Sequence, residues 1–171
     1  VCHALAGNQE YKTGGRVLLD GEDILPLKIE ERSRKGLFLA FQTPVAVPGV
    51  RMSNFLRMIY NAARSSMPPV QIPQFEQIAL AHMKYLKMDE SFLDRNLNEG
   101  FSGGEKKRAE ILQMALLEPK YALLDELDSG LDVDALKIVS KAVQKLKAER
   151  NLGILIITHH AQILPYLKPD F

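Results

Sequence analysis

The sequence predicts an α/β domain, a parallel sheet covered by helices with a helical segment inserted in its middle. Three observations carry this. Leu37–Phe41, Tyr121–Leu124 and Gly153–Thr158 are short, uninterrupted and apolar, the pattern of strands buried on both faces. Ala135, Leu136, Val139, Ala142, Val143 and Leu146 form a stripe at 3.6-residue spacing between the last two, so strand, long helix and strand make a right-handed parallel unit. Between about Ser53 and Asn98 the periodicity is helical. With 46% hydrophobic and 25% charged residues, 171 residues have the balance of a globular domain with a sizeable core.

The elements follow in order. Val1–Ala6 reads as the end of a helix, with Gly7 at its C-cap. Gly14-Gly15 turns into a strand over Arg16–Leu19, closed by the Asp20-Gly21 turn. Ile29–Lys35 is a polar helical link into Leu37–Phe41, which Gln42 ends. Pro44, Pro48 and Gly49 predict a loop. Phe55, Leu56, Ile59 and Ala63 mark a helix with Ser53 or Asn54 as N-cap, broken by Met67-Pro68-Pro69. Phe75, Ile78, Ala79, Met83 and Leu86 mark a second, starting after Pro73. Glu105–Leu117 is a helix stopped by Pro119. Asp132 and Asp134 lie at the positive N-terminus of the last long helix.

Some classes are excluded. With 22 basic and 21 acidic residues, the net charge of +1 gives no sign of a nucleic-acid partner. No apolar run is long enough for membrane insertion. The single cysteine, Cys2, excludes a disulfide framework and a four-cysteine zinc site; it fits a reducing compartment and reads as a small core thiol.

Ligands of open parallel sheets gather at the carboxyl ends of the strands. Asp125 and Glu126 follow one strand, His159 another and Gln42 a third. Each alone has a plain explanation, a carboxylate favouring a helix start or a histidine satisfied by a neighbour. Together they match metal-assisted phosphoryl transfer, in which one carboxylate holds Mg²⁺, a second polarises water, and neutral groups orient water and phosphate. Phe101-Ser102-Gly103-Gly104-Glu105 stands before a helix. Ser102 and Glu105 fit a capping box, which does not require two glycines. Gly103-Gly104 lets backbone amides approach an anion at the positive helix end. Lys106 and Lys107 read as a solvated face that supplements that end. His82 reads as packing within its helix, and His159 with His160 as no metal pair, because adjacent strand residues point to opposite faces.

Ser102-Gly103-Gly104-Glu105 resembles the ABC ATPase signature motif, and Tyr121–Glu126 the Walker B strand. Ser129-Gly130-Leu131-Asp132 resembles the D-loop, Gln42 the Q-loop glutamine and His159 the switch histidine. Within that family the wording Phe-Ser-Gly-Gly-Glu and Asp-Glu-Leu-Asp, in place of Leu-Ser-Gly-Gly-Gln and Asp-Glu-Pro-Thr, is similar to the SufC-type ATPases of the Suf iron–sulfur cluster assembly system. The resemblance implies a P-loop NTPase fold in which residues 1–50 and 117–171 form a core lobe and 51–116 a helical subdomain. It implies ATP and Mg²⁺ as cofactors, with Asp125 and Gln42 at the metal. Glu126 would be the general base and His159 would contact the γ-phosphate. Ser102, Gly103, Gly104 and Glu105 would meet ATP held by a second copy of the chain, and Ser129 and Asp132 would link the two sites.

The implied partners are that second copy and SufB–SufD-type scaffold proteins, met by residues 43–60 with Val45, Val47, Val50, Met52 and Met58. The implied compartment is the cytosol or the plastid stroma. The alternatives are the ATP-binding subunit of an ABC transporter and a non-catalytic module that keeps only the partner surface. No Gly-x-x-x-x-Gly-Lys-Ser/Thr occurs, and no glycine is followed by lysine. The expectation is therefore a segment incomplete at both ends, its phosphate-binding loop ending just before Val1, that by itself binds ATP weakly or not at all and is inactive.

Overall fold

The computed structural model describes residues 1–171. Its centre is a three-stranded parallel sheet of β3 (Leu37–Ala40), β6 (Tyr121–Asp125) and β7 (Gly153–Ile157), in the order β3-β6-β7. Leu37 pairs with Tyr121 and Tyr121 with Gly153, so the three strands run in step and end at one edge. The strand period of two sorts their side chains onto two faces. Phe38, Ala40, Ala122, Leu124, Ile154 and Ile156 join the large core with α5 (Gly103–Leu117) and α6 (Val133–Arg150). Leu37, Leu39, Leu123 and Ile157 face a smaller core that includes Cys2 of α1 (Cys2–Ala6) and Ile24.

α1 ends as expected, with Gly7 at φ 101°. Its last carbonyls are met by Arg32 of α2 (Ile29–Arg34), whose guanidinium, 5% exposed, donates to the Ala4, Leu5, Leu25 and Leu27 carbonyls. The strand expected at 16–19 is shorter. β1 (Leu18–Leu19) and β2 (Glu22–Asp23) form a separate hairpin around Asp20-Gly21, both residues at positive φ.

Residues 47–51, expected as a loop, form β4 (Val47–Arg51), an irregular strand paired antiparallel with β5 (Asn96–Leu97). Pro48 and Gly49 are tolerated because the register shifts between Val47 and Arg51, so neither sits in a paired rung. α3 (Met52–Ala63) follows at once, with Arg51 rather than Ser53 or Asn54 at its N-cap. α4 (Ile72–Tyr85) carries Pro73 inside its first turn. α5 is buried on nearly every side, and through it one continuous core runs from α3 and α4 to the sheet. α7 (Leu164–Leu167) closes the chain on α6. No helix is long and apolar enough to cross a membrane.

Candidate functional site

β3, β6 and β7 deliver Gln42, Asp125-Glu126 and Thr158-His159 to the same carboxyl edge of the sheet. Asp125 is the last residue of β6 and pairs with Ile157. Glu126 then turns in the left-handed region at φ 46°, and its N–H donates to the Ile157 carbonyl at 2.9 Å. This turn aims its carboxylate back across the edge. Gln42 Nε2 donates to Glu126 Oε2 at 2.6 Å, and His159 Nε2 lies 3.0 Å from Oε1. Both oxygens are therefore engaged by side chains from the two other strand ends. The Glu126 side chain is 21% exposed and that of His159 73%, so the cluster faces solvent.

His3 Nε2 of α1 lies 3.9 Å from Asp125 Oδ2. No group of three or more His, Cys, Asp or Glu side chains is clustered to cage a metal. Mg²⁺ is bound instead by one or two oxygen ligands together with water and substrate phosphates. Asp125 with the amide oxygen of Gln42, whose nitrogen is already spent on Glu126, fits that donor set.

The glycine-rich segment is positioned separately, with no hydrogen bond to this cluster. Ser102 Oγ accepts from the Glu105 N–H at 3.3 Å, and Glu105 Oε2 accepts from the Ser102 N–H at 2.7 Å. That second bond holds the Glu105 carboxyl below its ordinary range. The glycines have a packing reason too. A Cβ on Gly103 would sit 3.1 Å from the Gly130 carbonyl oxygen, and one on Gly104 3.2 Å from Ala135 Cβ. Both let the start of α5 press against 129–132 and the start of α6. Ser129 donates its N–H to the Glu126 carbonyl at 3.0 Å, and Asp132 caps α6 by accepting from the Ala135 N–H at 2.7 Å.

Lys107 is not on a solvated face. It is 2% exposed, and its Nζ donates to the Phe41 carbonyl at 2.5 Å. Glu110, 3% exposed, accepts the Phe41 N–H on Oε1 at 2.7 Å, and its Oε2 lies 3.6 Å from Lys107 Nζ. Burial pushes the Glu110 carboxyl up to about 7, and the attraction of Lys107 only partly offsets it. Burial likewise lowers Lys107. Sequence reasoning missed this pair. The available signal was that Ala109, Ile111, Leu112, Met114, Ala115 and Leu116 leave α5 no polar face, so charges inside it must be paired.

Asp128 was also missed. It is 7% exposed and its Oδ2 accepts from the Thr158 hydroxyl at 2.8 Å, tying the segment after β6 to the one before His159. Met52 is fully buried, so it packs the core rather than offering a partner surface; Val45 and Met58 are exposed. β7 stops at Ile157, so the strand pleat does not separate His159 from His160. His82 meets the Tyr85 hydroxyl at 3.0 Å within α4, and Cys2 is a buried core thiol.

This arrangement, a parallel sheet whose carboxyl edge gathers Gln42, Asp125, Glu126 and His159, is that of an open α/β protein, a class whose ligands collect at the strands' carboxyl ends. A family model described as ABC transporter matches residues 1–129. The chain belongs to the ABC transporter ATPase family. It is 48% identical over 168 residues to Vegetative protein 296 of Bacillus subtilis, covering 98% of this chain and 64% of that protein. It is 49% identical to Probable ABC transporter ATP-binding protein SpyM3_0208 of Streptococcus pyogenes, covering 98% and 65%. Against Probable ATP-dependent transporter ycf16 of Cyanophora paradoxa it is also 49% identical, covering 98% and 65%. The chain thus spans 64–65% of the length of these relatives. Its fold is that of solved ATP-binding cassettes. The dimeric MJ0796 cassette superimposes with a TM-score of 0.73 at 20% identity over 90% of this chain and 66% of that one. A nucleotide-free ABC transporter cassette gives 0.70 at 24% identity over 96% and 66%.

Proposed function

We propose that the protein carrying this chain is an ATP hydrolase of the ABC type, with Glu126 as general base. The convergence of Gln42 and His159 on the two oxygens of Glu126 carries this reading. Gln42 donates to one oxygen and the His159 ring lies 3.0 Å from the other, so the carboxylate faces the strand edge, where it can take a proton from a water. His159, largely exposed, is free to turn toward a γ-phosphate. Asp125 and Gln42 would hold Mg²⁺, which on binding neutralises charge on the phosphate oxygens. Ser102 and Gly103 are exposed at the positive end of a 15-residue helix, where a phosphate held by a second copy would be met. Ser129, Asp132, Gly104 and Glu105 hold that end in place. Residues 51–116 are assigned as the helical lobe and 1–50 with 117–171 as the core lobe.

Two partners are in play for the ATP-driven step. The names of the relatives, ABC transporter ATP-binding protein and ATP-dependent transporter, favour a membrane transport assembly. The wording Phe101–Glu105 and Asp125–Asp128 favours a SufB–SufD-type scaffold, reached in the cytosol or plastid stroma. In either case exposed Val45, Val47 and Met58 make the docking surface. The experiment is ATP turnover and ATP binding by the full polypeptide and its Glu126→Gln variant. Turnover is expected to vanish while binding remains, and undiminished hydrolysis refutes the assigned base. Co-purification with and without Val45→Asp separates the partners: loss of a captured SufB–SufD complex supports the scaffold, loss of a membrane-protein complex the transporter.

A further inference from the structure

β3 is the edge strand of the sheet, and its last pairing is Ala40 with Leu124. Gly36 accepts from the Tyr121 N–H, so by alternation the polar groups of Phe41 face away from β6, where no further strand meets them. Both polar groups of Phe41 are taken by charged side chains of α5. The Lys107 ammonium meets the carbonyl at 2.5 Å and the Glu110 carboxylate meets the N–H at 2.7 Å. The pairing is complementary, since the cation faces the negative end of that residue's polar groups and the anion the positive end. One donor and one acceptor, 3.6 Å apart and about one helical turn apart on the same face of α5, take both polar groups of Phe41.

Stability alone does not account for the pair. Burying an ammonium and a carboxylate this deeply costs several kcal/mol per ion on the usual scale, and apolar residues of the same volume often fold at least as well. Glu110 Oε2 is also buried without a hydrogen-bond partner. What the pair does secure is the position of one residue, and that residue immediately precedes Gln42. Gln42 has no packing of its own to hold it; it is exposed, and its side chain reaches Glu126 through one bond of 2.6 Å.

We propose that the buried Lys107–Glu110 pair is a positioning device for Gln42: by gripping Phe41 it sets the direction in which the chain leaves β3 and so delivers the Gln42 amide to Glu126. Lys107 and Glu110 touch no substrate in this scheme and act only through Phe41. The proposal rests on the ATPase reading for its consequence on turnover, but not for the placement of Gln42.

The test uses the full polypeptide, labelled with ¹⁵N, with the Gln42 side-chain amide resonances assigned by Gln42→Ala. Lys107→Met/Glu110→Met removes both grips at similar volume. It is expected to stay folded by circular dichroism and to exchange the Phe41 amide hydrogen about tenfold faster or more. Its Gln42 side-chain resonances should move to those of a free glutamine, and kcat for ATP should fall while KM for ATP holds. Glu110→Ala, which leaves the lysine in place, must move the Gln42 resonances in the same direction and serves alone if the double variant does not fold. Glu110→Gln keeps an acceptor and should retain both the Phe41 protection and the Gln42 resonances. Gln42 resonances that stay put while Phe41 loses protection overturn the proposal, as does a Glu110→Gln variant that behaves like the double. An unsubstituted protein that hydrolyses no ATP refutes the ATPase reading instead, and the Gln42 resonances still decide this proposal.

Discussion

Replacing Glu110 with glutamine should remove one pH-dependent contribution to stability. Glu110 is 3% exposed, and burial raises its carboxyl from 4.5 to about 7. The folded protein therefore holds a proton that the unfolded chain has already released between these two values. Stability falls as pH rises wherever the folded state binds more protons than the unfolded one, so this group lowers stability progressively from about pH 4.5 to 7 and fully above it. At about 1.4 kcal/mol per pH unit, the loss amounts to about 3 kcal/mol. Glutamine has the shape of the protonated acid and does not titrate. Urea denaturation followed by far-UV circular dichroism suits a chain without tryptophan. The unfolding free energy of the unsubstituted protein, minus that of Glu110→Gln, should drop by about 3 kcal/mol from pH 4.5 to 7.5. Titrations of groups that do not interact with Glu110 cancel in that difference. A flat difference refutes the reasoning, and a rising one means that Lys107 keeps the carboxylate ionised against its burial.

Other outcomes follow from single contacts. Arg32→Met strands the four carbonyls that the guanidinium satisfies, and thermal unfolding should show a loss of about 3 kcal/mol; a loss under about 1 kcal/mol contradicts the accounting. Gly153→Ala places a Cβ 2.7 Å from Tyr121 Cδ1, forcing the β6–β7 pair apart, and should cost about 1–3 kcal/mol in urea melts. Asp132→Ala removes the cap of α6 and should cost about 1 kcal/mol, recovered in part by Asp132→Ser. His159→Ala in the full polypeptide should lower ATP turnover with no change in unfolding midpoint, because the imidazole is largely exposed; a shifted midpoint would make it structural.

Much of this molecule was legible in the sequence because apolar runs and caps are local signals. β3, β6 and β7 lie where uninterrupted apolar runs put them, and the Ser102–Glu105 capping box closes as its spacing requires. The residues at the three strand ends could be named because a parallel sheet forces its carboxyl ends to one edge. Three features were not legible. β4 hid behind Pro48-Gly49, since a register shift that excuses a proline depends on the partner strand, forty-odd residues away. Lys107 beside Lys106 looked like a wet face, because a pair of lysines at a helix start is a stronger local signal than the apolar residues further along α5 that leave it no polar side. The second use of Gly103 and Gly104 depends on how closely 130–135 approach, which is a property of packing.

The left-handed turn at Glu126 sets stability against activity. A non-glycine residue at φ 46° is held there at a cost of roughly 1 kcal/mol, and glycine would adopt it freely. Glu126→Gly should thus yield a sturdier protein that lacks the proposed general base. A library of variants screened for heat resistance alone would enrich glycine at 126 and drift toward well-folded, inert proteins. Any engineering of this chain for robustness must therefore select for turnover in the same round.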